Sequence, residues 1–150
     1  MFRGIHNINL DAKSRLALPT RYRDRLQTLC EGQIVITADK DRCLLLYPLP
    51  EWEIVEAKLN QLSSFNEQNR RVQRLYLGHA TECELDASGR VLLPAMLRDF
   101  AGLQKGIVLV GQVNRFEIWD EDAWKKTLEQ SINEGISQQG LSPELGAISL

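Results

Sequence analysis

Two short segments set an acid and a base at the same separation. Asp11-Ala12-Lys13-Ser14-Arg15 and Asp86-Ala87-Ser88-Gly89-Arg90 each put a carboxylate four residues before a guanidinium, and each runs into a proline four residues later, Pro19 and Pro94. A carboxylate in a turn accepts backbone amides two residues along. A guanidinium offers a planar fork of donors that matches phosphate oxygens or the O6 and N7 edge of guanine. The spacing admits two chemistries: an internal pair that braces a turn, and an arginine aimed outward at a polyanion. The sequence leaves both open. The bracing reading is stronger for the second copy, where Ser88 replaces the lysine and Glu82 and Glu84 lie close by. The first copy is therefore expected to carry more of any binding, with the second mainly structural.

Other chemistry is sparse. His6 and His79 are the two histidines, and His79-x-x-x-Cys83 offers one pair of metal ligands with no second pair beside it. His79 reads better as a core or capping residue. No Gly-rich phosphate loop, nucleophile elbow or paired carboxylates with an acid/base setting occurs. We expect no catalytic residue, metal, cofactor or small-molecule substrate. Cys30, Cys43 and Cys83 are odd in number and unpaired in spacing, which fits a reducing cytoplasm better than a disulfide framework. No apolar run reaches the ~18 residues of a membrane span, and the opening Met1-Phe2-Arg3-Gly4 lacks the features of a signal peptide.

The net charge of −2 speaks against a polyanion binder only as an average. Residues 1–26 carry six basic groups (Arg3, Lys13, Arg15, Arg21, Arg23, Arg25) against Asp11 and Asp24, a balance of +4. Residues 117–150 carry seven acids against Lys125 and Lys126, a balance of −5. Such asymmetry is a mark of a basic working surface, though a scatter of solvated charges gives the same count. If the basic end meets DNA, Arg3, Arg21 and Arg23 are candidate phosphate partners beside Lys13, Arg15 and Arg90, while Asp11 and Asp86 orient the loops.

The acid–base segments belong to a longer repeat. Residues 11–26 match 86–101 at seven of sixteen positions, Arg23-Asp24 falling on Arg98-Asp99. Ile34-Val35-Ile36-Thr37 parallels Ile107-Val108-Leu109-Val110, and Tyr47 and Trp52 parallel Trp119 and Trp124. This divides the chain into a first repeat over 1–52, a helical linker over 53–82, a second repeat over 83–126, and a tail over 127–150 that is expected to be mobile. Within each copy, Ile8/Leu10 and Leu16/Leu18 alternate around a polar loop, the pattern of a β-hairpin. A short helix with Tyr22, Leu26 and Leu29 on one face follows, then two buried strands, then a helix. Trp52, Val55, Leu59 and Leu62 take helical spacing, and Asp120 and Asn66 look like N-caps. The tryptophans at matched positions read as core. Fifty residues of mixed strands bury too little apolar surface to fold alone, so the two copies should share one core by exchanging strands about a pseudo-two-fold axis.

These residues resemble the MraZ family, as do Met1-Phe2-Arg3-Gly4 and the stretch from Arg70-Arg71-Val72-Gln73-Arg74 to Gly78-His79-Ala80. The resemblance covers about residues 1–130. It implies an α+β, mainly β fold: a pseudo-symmetric double repeat of AbrB/SpoVT-like halves forming a swapped-hairpin β-barrel flanked by helices. It implies a cytoplasmic, nucleoid-associated regulator of transcription that assembles into ring-shaped homo-oligomers and binds double-stranded DNA at short direct repeats. It implies repression of a division and cell-wall gene cluster, the protein's own gene included. Ser14 stands where the family has glycine, so the first loop is expected to turn slightly differently. A structural or partner-binding ring and an AbrB-like antitoxin are the competing readings; a duplicated module is more than a minimal antitoxin needs.

Overall fold

The computed structural model describes residues 1–136 and 142–148. In chain order it contains β1 (Ile5–Asn9), β2 (Arg15–Ala17), α1 (Thr20–Cys30), β3 (Gln33–Ala38), β4 (Leu44–Pro48), α2 (Leu49–Asn60) and α3 (Glu67–Tyr76). Then come β5 (Thr81–Glu84), β6 (Arg90–Leu92), α4 (Ala95–Ala101), β7 (Gly106–Gly111), β8 (Phe116–Asp120) and α5 (Glu121–Gln130). A π-helical turn over Ser131–Ile136 prolongs α5, and α6 spans Pro143–Gly146. Of the tail expected to be mobile, residues 127–136 are thus helical, while 137–141 and 149–150 lie outside the described residues.

Each repeat lends a strand to the other. The main sheet has six strands in the order β1-β7-β8-β4-β3-β5, with every adjacent pair antiparallel. The first strand of the first repeat lies on β7, with Ile5 opposite Val110, and the first strand of the second repeat lies on β3, with Ile34 opposite Cys83. The one core expected from chain length follows directly. Leu16, Leu18, Leu26, Ile34, Ile36 and Leu46 from the first copy pack with Val91, Leu93, Leu97, Leu109, Phe116 and Ile118 from the second. Burying a leucine or isoleucine is worth ~1.5–3 kcal/mol, so neither half could give up the other's strands without exposing most of this cluster.

Two expectations change. The sheet among the described residues is open, ending at β1 and β5, and is not a closed barrel. Nor do β1 and β2 form a β-hairpin. The strands on either side of each loop part company: β1 and β5 join the main sheet, while β2 and β6 pair with each other as a two-stranded ribbon. Two backbone bonds close each loop: Asp11 N–H to the Arg15 carbonyl at 3.1 Å and Ser14 N–H to the Asp11 carbonyl, matched by Asp86 N–H to the Arg90 carbonyl at 2.9 Å and Gly89 N–H to the Asp86 carbonyl. Local alternation records which residues face a core; it does not record which strand lies alongside.

The helices are placed by their ends. α1 starts after Pro19, whose carbonyl accepts the Arg23 amide, and stops at Glu31, which adopts φ 55° and donates back to Gln27 and Leu26. Tyr22 and Leu26 are buried, but Leu29 is 48 % exposed, and it is Cys30 that packs on the core. Asn66 caps α3 through the Asn69 amide and Asp120 caps α5 through the Ala123 amide. The matched aromatics make matched contacts, with ring centroids 5.6 Å apart for Tyr47–Trp52 and 5.7 Å for Trp119–Trp124. The linker is fastened to the β3–β4 turn: Thr37 donates to the Tyr76 carbonyl, and the Tyr76 hydroxyl donates to buried Asp39 at 2.7 Å. Burial, then that bond, pushes the Tyr76 phenol up to about 12. Among the described residues no helix is long and apolar enough to cross a membrane.

Candidate nucleic-acid interface

The two acid–base loops are built alike, atom for atom. Asp11 Oδ1 accepts the amides of Lys13 and Arg15, both at 2.9 Å, and Oδ2 accepts Arg15 Nε at 2.7 Å. Asp86 Oδ1 accepts the amides of Ser88 and Arg90, both at 2.9 Å, and Oδ2 accepts Arg90 Nε at 2.9 Å. The Arg15 amide is the main cause holding the Asp11 carboxyl below the ordinary carboxylate range; the Arg90 amide does the same for Asp86. Ser14 adopts φ 62° and Gly89 φ 71°, so the loops turn alike and the difference expected at Ser14 is absent. A left-handed serine is costly by ~1–2 kcal/mol; here the Ser14 amide bonds to the Asp11 carbonyl and its own carbonyl accepts the Leu93 amide.

The bracing chemistry is present in both loops, and it leaves part of each arginine unused. Each aspartate braces its turn and takes one side of its arginine, at Nε. The two terminal Nη groups, which take no other partner among the described residues, are left for an outside acceptor. The Arg15 and Arg90 side chains retain 27 % and 36 % of their exposure. The pairs themselves carry no net charge, so their contribution is orientation; the local field depends on neighbours.

Those neighbours come largely from the opposite repeat and differ in sign. Loop 1 borders a cleft against α4 and the β7 approach, lined by Arg98 and Lys105, with Lys13 exposed at the tip. Loop 2 borders a cleft against α1, lined by Arg23 but also by Asp24, Glu31 and Glu84. The first loop therefore sits in a basic setting and the second in an acidic one. Neither Arg98 nor Lys105 was singled out from sequence as a site residue; the signal lay in the repeat, where Arg98 falls on Arg23.

The remaining candidates do not converge on loop 1. Arg23 Nε donates to the Leu18 carbonyl at 2.6 Å, and its stem covers Gly89 so closely that a Cβ there would strike Cγ and Cδ. Arg98 Nε makes the matching bond to the Leu93 carbonyl. Arg21 lies over the Tyr22 ring at 4.6 Å and bonds to its hydroxyl, which in turn donates to the Arg3 carbonyl. Arg3, His6, Arg21 and Arg25 thus gather around Tyr22, at the far end of β1 from loop 1. His79 bonds to the Leu75 carbonyl at 2.7 Å and stacks near Phe100, and among the described residues no cluster of metal-ligating groups forms.

Comparison with known proteins falls on the same two units. A family model described as "MraZ protein, putative antitoxin-like" matches residues 1–75 and again 76–140. The chain is 55 % identical to the protein named Transcriptional regulator MraZ from Thioalkalivibrio sulfidiphilus over 150 residues, covering 100 % of both. It is 55 % identical to the protein of that name from Alkalilimnicola ehrlichii over 151 residues, and 54 % to that from Methylococcus capsulatus over 153 residues, covering 99 % or more of each chain. These are names of regulators, not of enzymes. With the loop built twice and one family model matching each copy, the chain belongs to the MraZ family.

Proposed function

We propose that this chain is a DNA-binding regulator of transcription that reads specific sequence chiefly through its first Asp-x-x-x-Arg loop. One observation carries this reading: Arg15 is held at Nε by Asp11, its terminal nitrogens take no partner among the described residues, and its loop carries exposed Lys13 and borders a cleft lined by Arg98 and Lys105. Two Nη donors suit the paired acceptors of guanine in the major groove, a contact worth ~1–3 kcal/mol of discrimination. The neighbouring cations suit phosphates, which set affinity and its fall with salt, about −0.9 in log–log slope per phosphate. Arg3 and Arg21 supply a separate cationic patch that a bent or wrapped duplex would reach. Arg23 serves by holding loop 2 in place.

The names of the relatives support a regulator, and what the family implies completes the proposal. The exchange of β1 and β5 between repeats supports an AbrB-like arrangement. Several copies assemble into a ring, which raises weak single contacts through effective concentration. Evenly spaced short direct repeats suit such an array, and the outcome is repression of a division and cell-wall gene cluster, the chain's own gene included, in the nucleoid-bearing cytoplasm.

The test is Arg15→Ala in a gel-shift titration on DNA upstream of the chain's own gene, with oligomeric state measured in parallel. Affinity for that DNA should fall at least about fivefold while the assembly is kept. Retained affinity would refute the assignment.

A further inference from the structure

The β2–β6 ribbon presents one face to the core and one to solvent. Its register sets Arg15 opposite Leu92, Leu16 opposite Val91 and Ala17 opposite Arg90. Leu16 and Val91 point inward, at 0 % and 2 % exposure. Alternation then sends Arg15, Ala17, Arg90 and Leu92 to the other face. Leu92 is 59 % exposed there, at the end of the ladder, with Arg15 directly across from it and Arg90 two residues back on its own strand.

We propose that this outer ribbon face is the surface that enters the major groove, and that Leu92 packs on the methyl group of a thymine next to the base taken by Arg15. The proposal rests on the regulator reading above and specifies how the site selects sequence. A two-stranded ribbon fits the width of the major groove, and the thymine methyl is the apolar feature displayed there. Directly opposed side chains on a ribbon have Cβ atoms ~5 Å apart, while stacked bases rise about 3.4 Å, so Arg15 and Leu92 reach neighbouring base pairs. The two arginines offer directed donors on this face; Leu92 offers no donor or acceptor and discriminates by shape alone. Because β2 and β6 come from different repeats, the duplication supplies the two strands of one reading surface. This gives the second copy a part in recognition despite its acidic surroundings.

The experiment uses the full chain to select duplexes from a random pool. The selected duplex is then remade with uracil in place of each thymine in turn, which removes one methyl and leaves base pairing unchanged. Affinities are read by fluorescence anisotropy. At one thymine the wild-type chain should lose about fourfold, the worth of one buried methyl group. Leu92→Ala should bind the thymine duplex as weakly as the wild type binds the uracil duplex, show no difference between the two, and keep its oligomeric state. A Leu92→Ala chain that still separates thymine from uracil as the wild type does overturns the inference alone. So does one that loses its assembly with base preference intact, since the face is then covered by a second copy. Failure to enrich any sequence would overturn the regulator reading itself, and this inference with it.

Discussion

Replacing Gly89 with alanine isolates the contact by which one repeat holds the loop of the other. Gly89 has φ 71°, where an L-residue is strained by ~1–2 kcal/mol. Its new Cβ would also strike the middle of the Arg23 stem, which cannot swing aside without breaking the 2.6 Å bond from Nε to the Leu18 carbonyl. A hydrogen bond from a charged donor is worth ~1.5–3 kcal/mol, so Gly89→Ala should cost about 2.5–5 kcal/mol in all. Gly102 is the control: φ 61°, with nothing within 4 Å of its built Cβ. Gly102→Ala should therefore cost only the strain, ~1–2 kcal/mol. Urea denaturation at one fixed protein concentration reads both, the concentration being held because any self-association shifts apparent stability. The cycle closes with Arg23→Ala, in whose background Gly89→Ala should fall to the cost of the control. Equal costs at Gly89 and Gly102, or a cycle additive to within about 0.5 kcal/mol, would show that the Arg23 clamp contributes nothing.

Acid should spare the loops longer than ordinary carboxylates allow. Asp11 and Asp86 have folded values below the usual 3.8, so their contribution is full above that pH and is lost only as pH falls through the depressed folded value. Carboxyl carbon shifts should titrate with midpoints under 3.8, and ordinary midpoints would contradict the amide-braced turn. Tyr76→Phe removes the hydroxyl that donates to buried Asp39 and should cost ~1.5–3 kcal/mol with faster amide exchange in α3. A loss near zero in the same denaturation assay would mean that the linker is held by packing alone.

Much of the site was legible in the sequence because it is local. The aspartate, the amides two and four residues on, and the arginine all lie within five positions, so spacing and turn chemistry determine the network. The caps at Asn66 and Asp120 and the aromatic pairs separated by five residues are local in the same sense. What stayed hidden is long-range. Nothing in Leu16-Ala17-Leu18 or Val91-Leu92-Leu93 says that these segments pair with each other instead of with the strands just before them. Val91-Leu92-Leu93 reads as a continuous apolar run, and only the pairing with β2 shows that its middle residue faces outward. Arg23 and Arg21 look alike in sequence, yet one clasps a loop and the other covers a tyrosine ring. A barrel and an open sheet with a separate ribbon share the same strand pattern, since closure depends on which edges meet.

The pairing of the first strand with the seventh also governs when the protein can exist during its own synthesis. Ile5 waits for Val110. At about 5–20 residues per second, the interval between their emergence is on the order of 5–20 seconds. Throughout it, the amino-terminal strand has no place to dock, and the apolar side chains of the first repeat lack half their cover. Nascent chains therefore pass through a window in which a strand from a neighbouring ribosome's product is as good a mate as the one still being made.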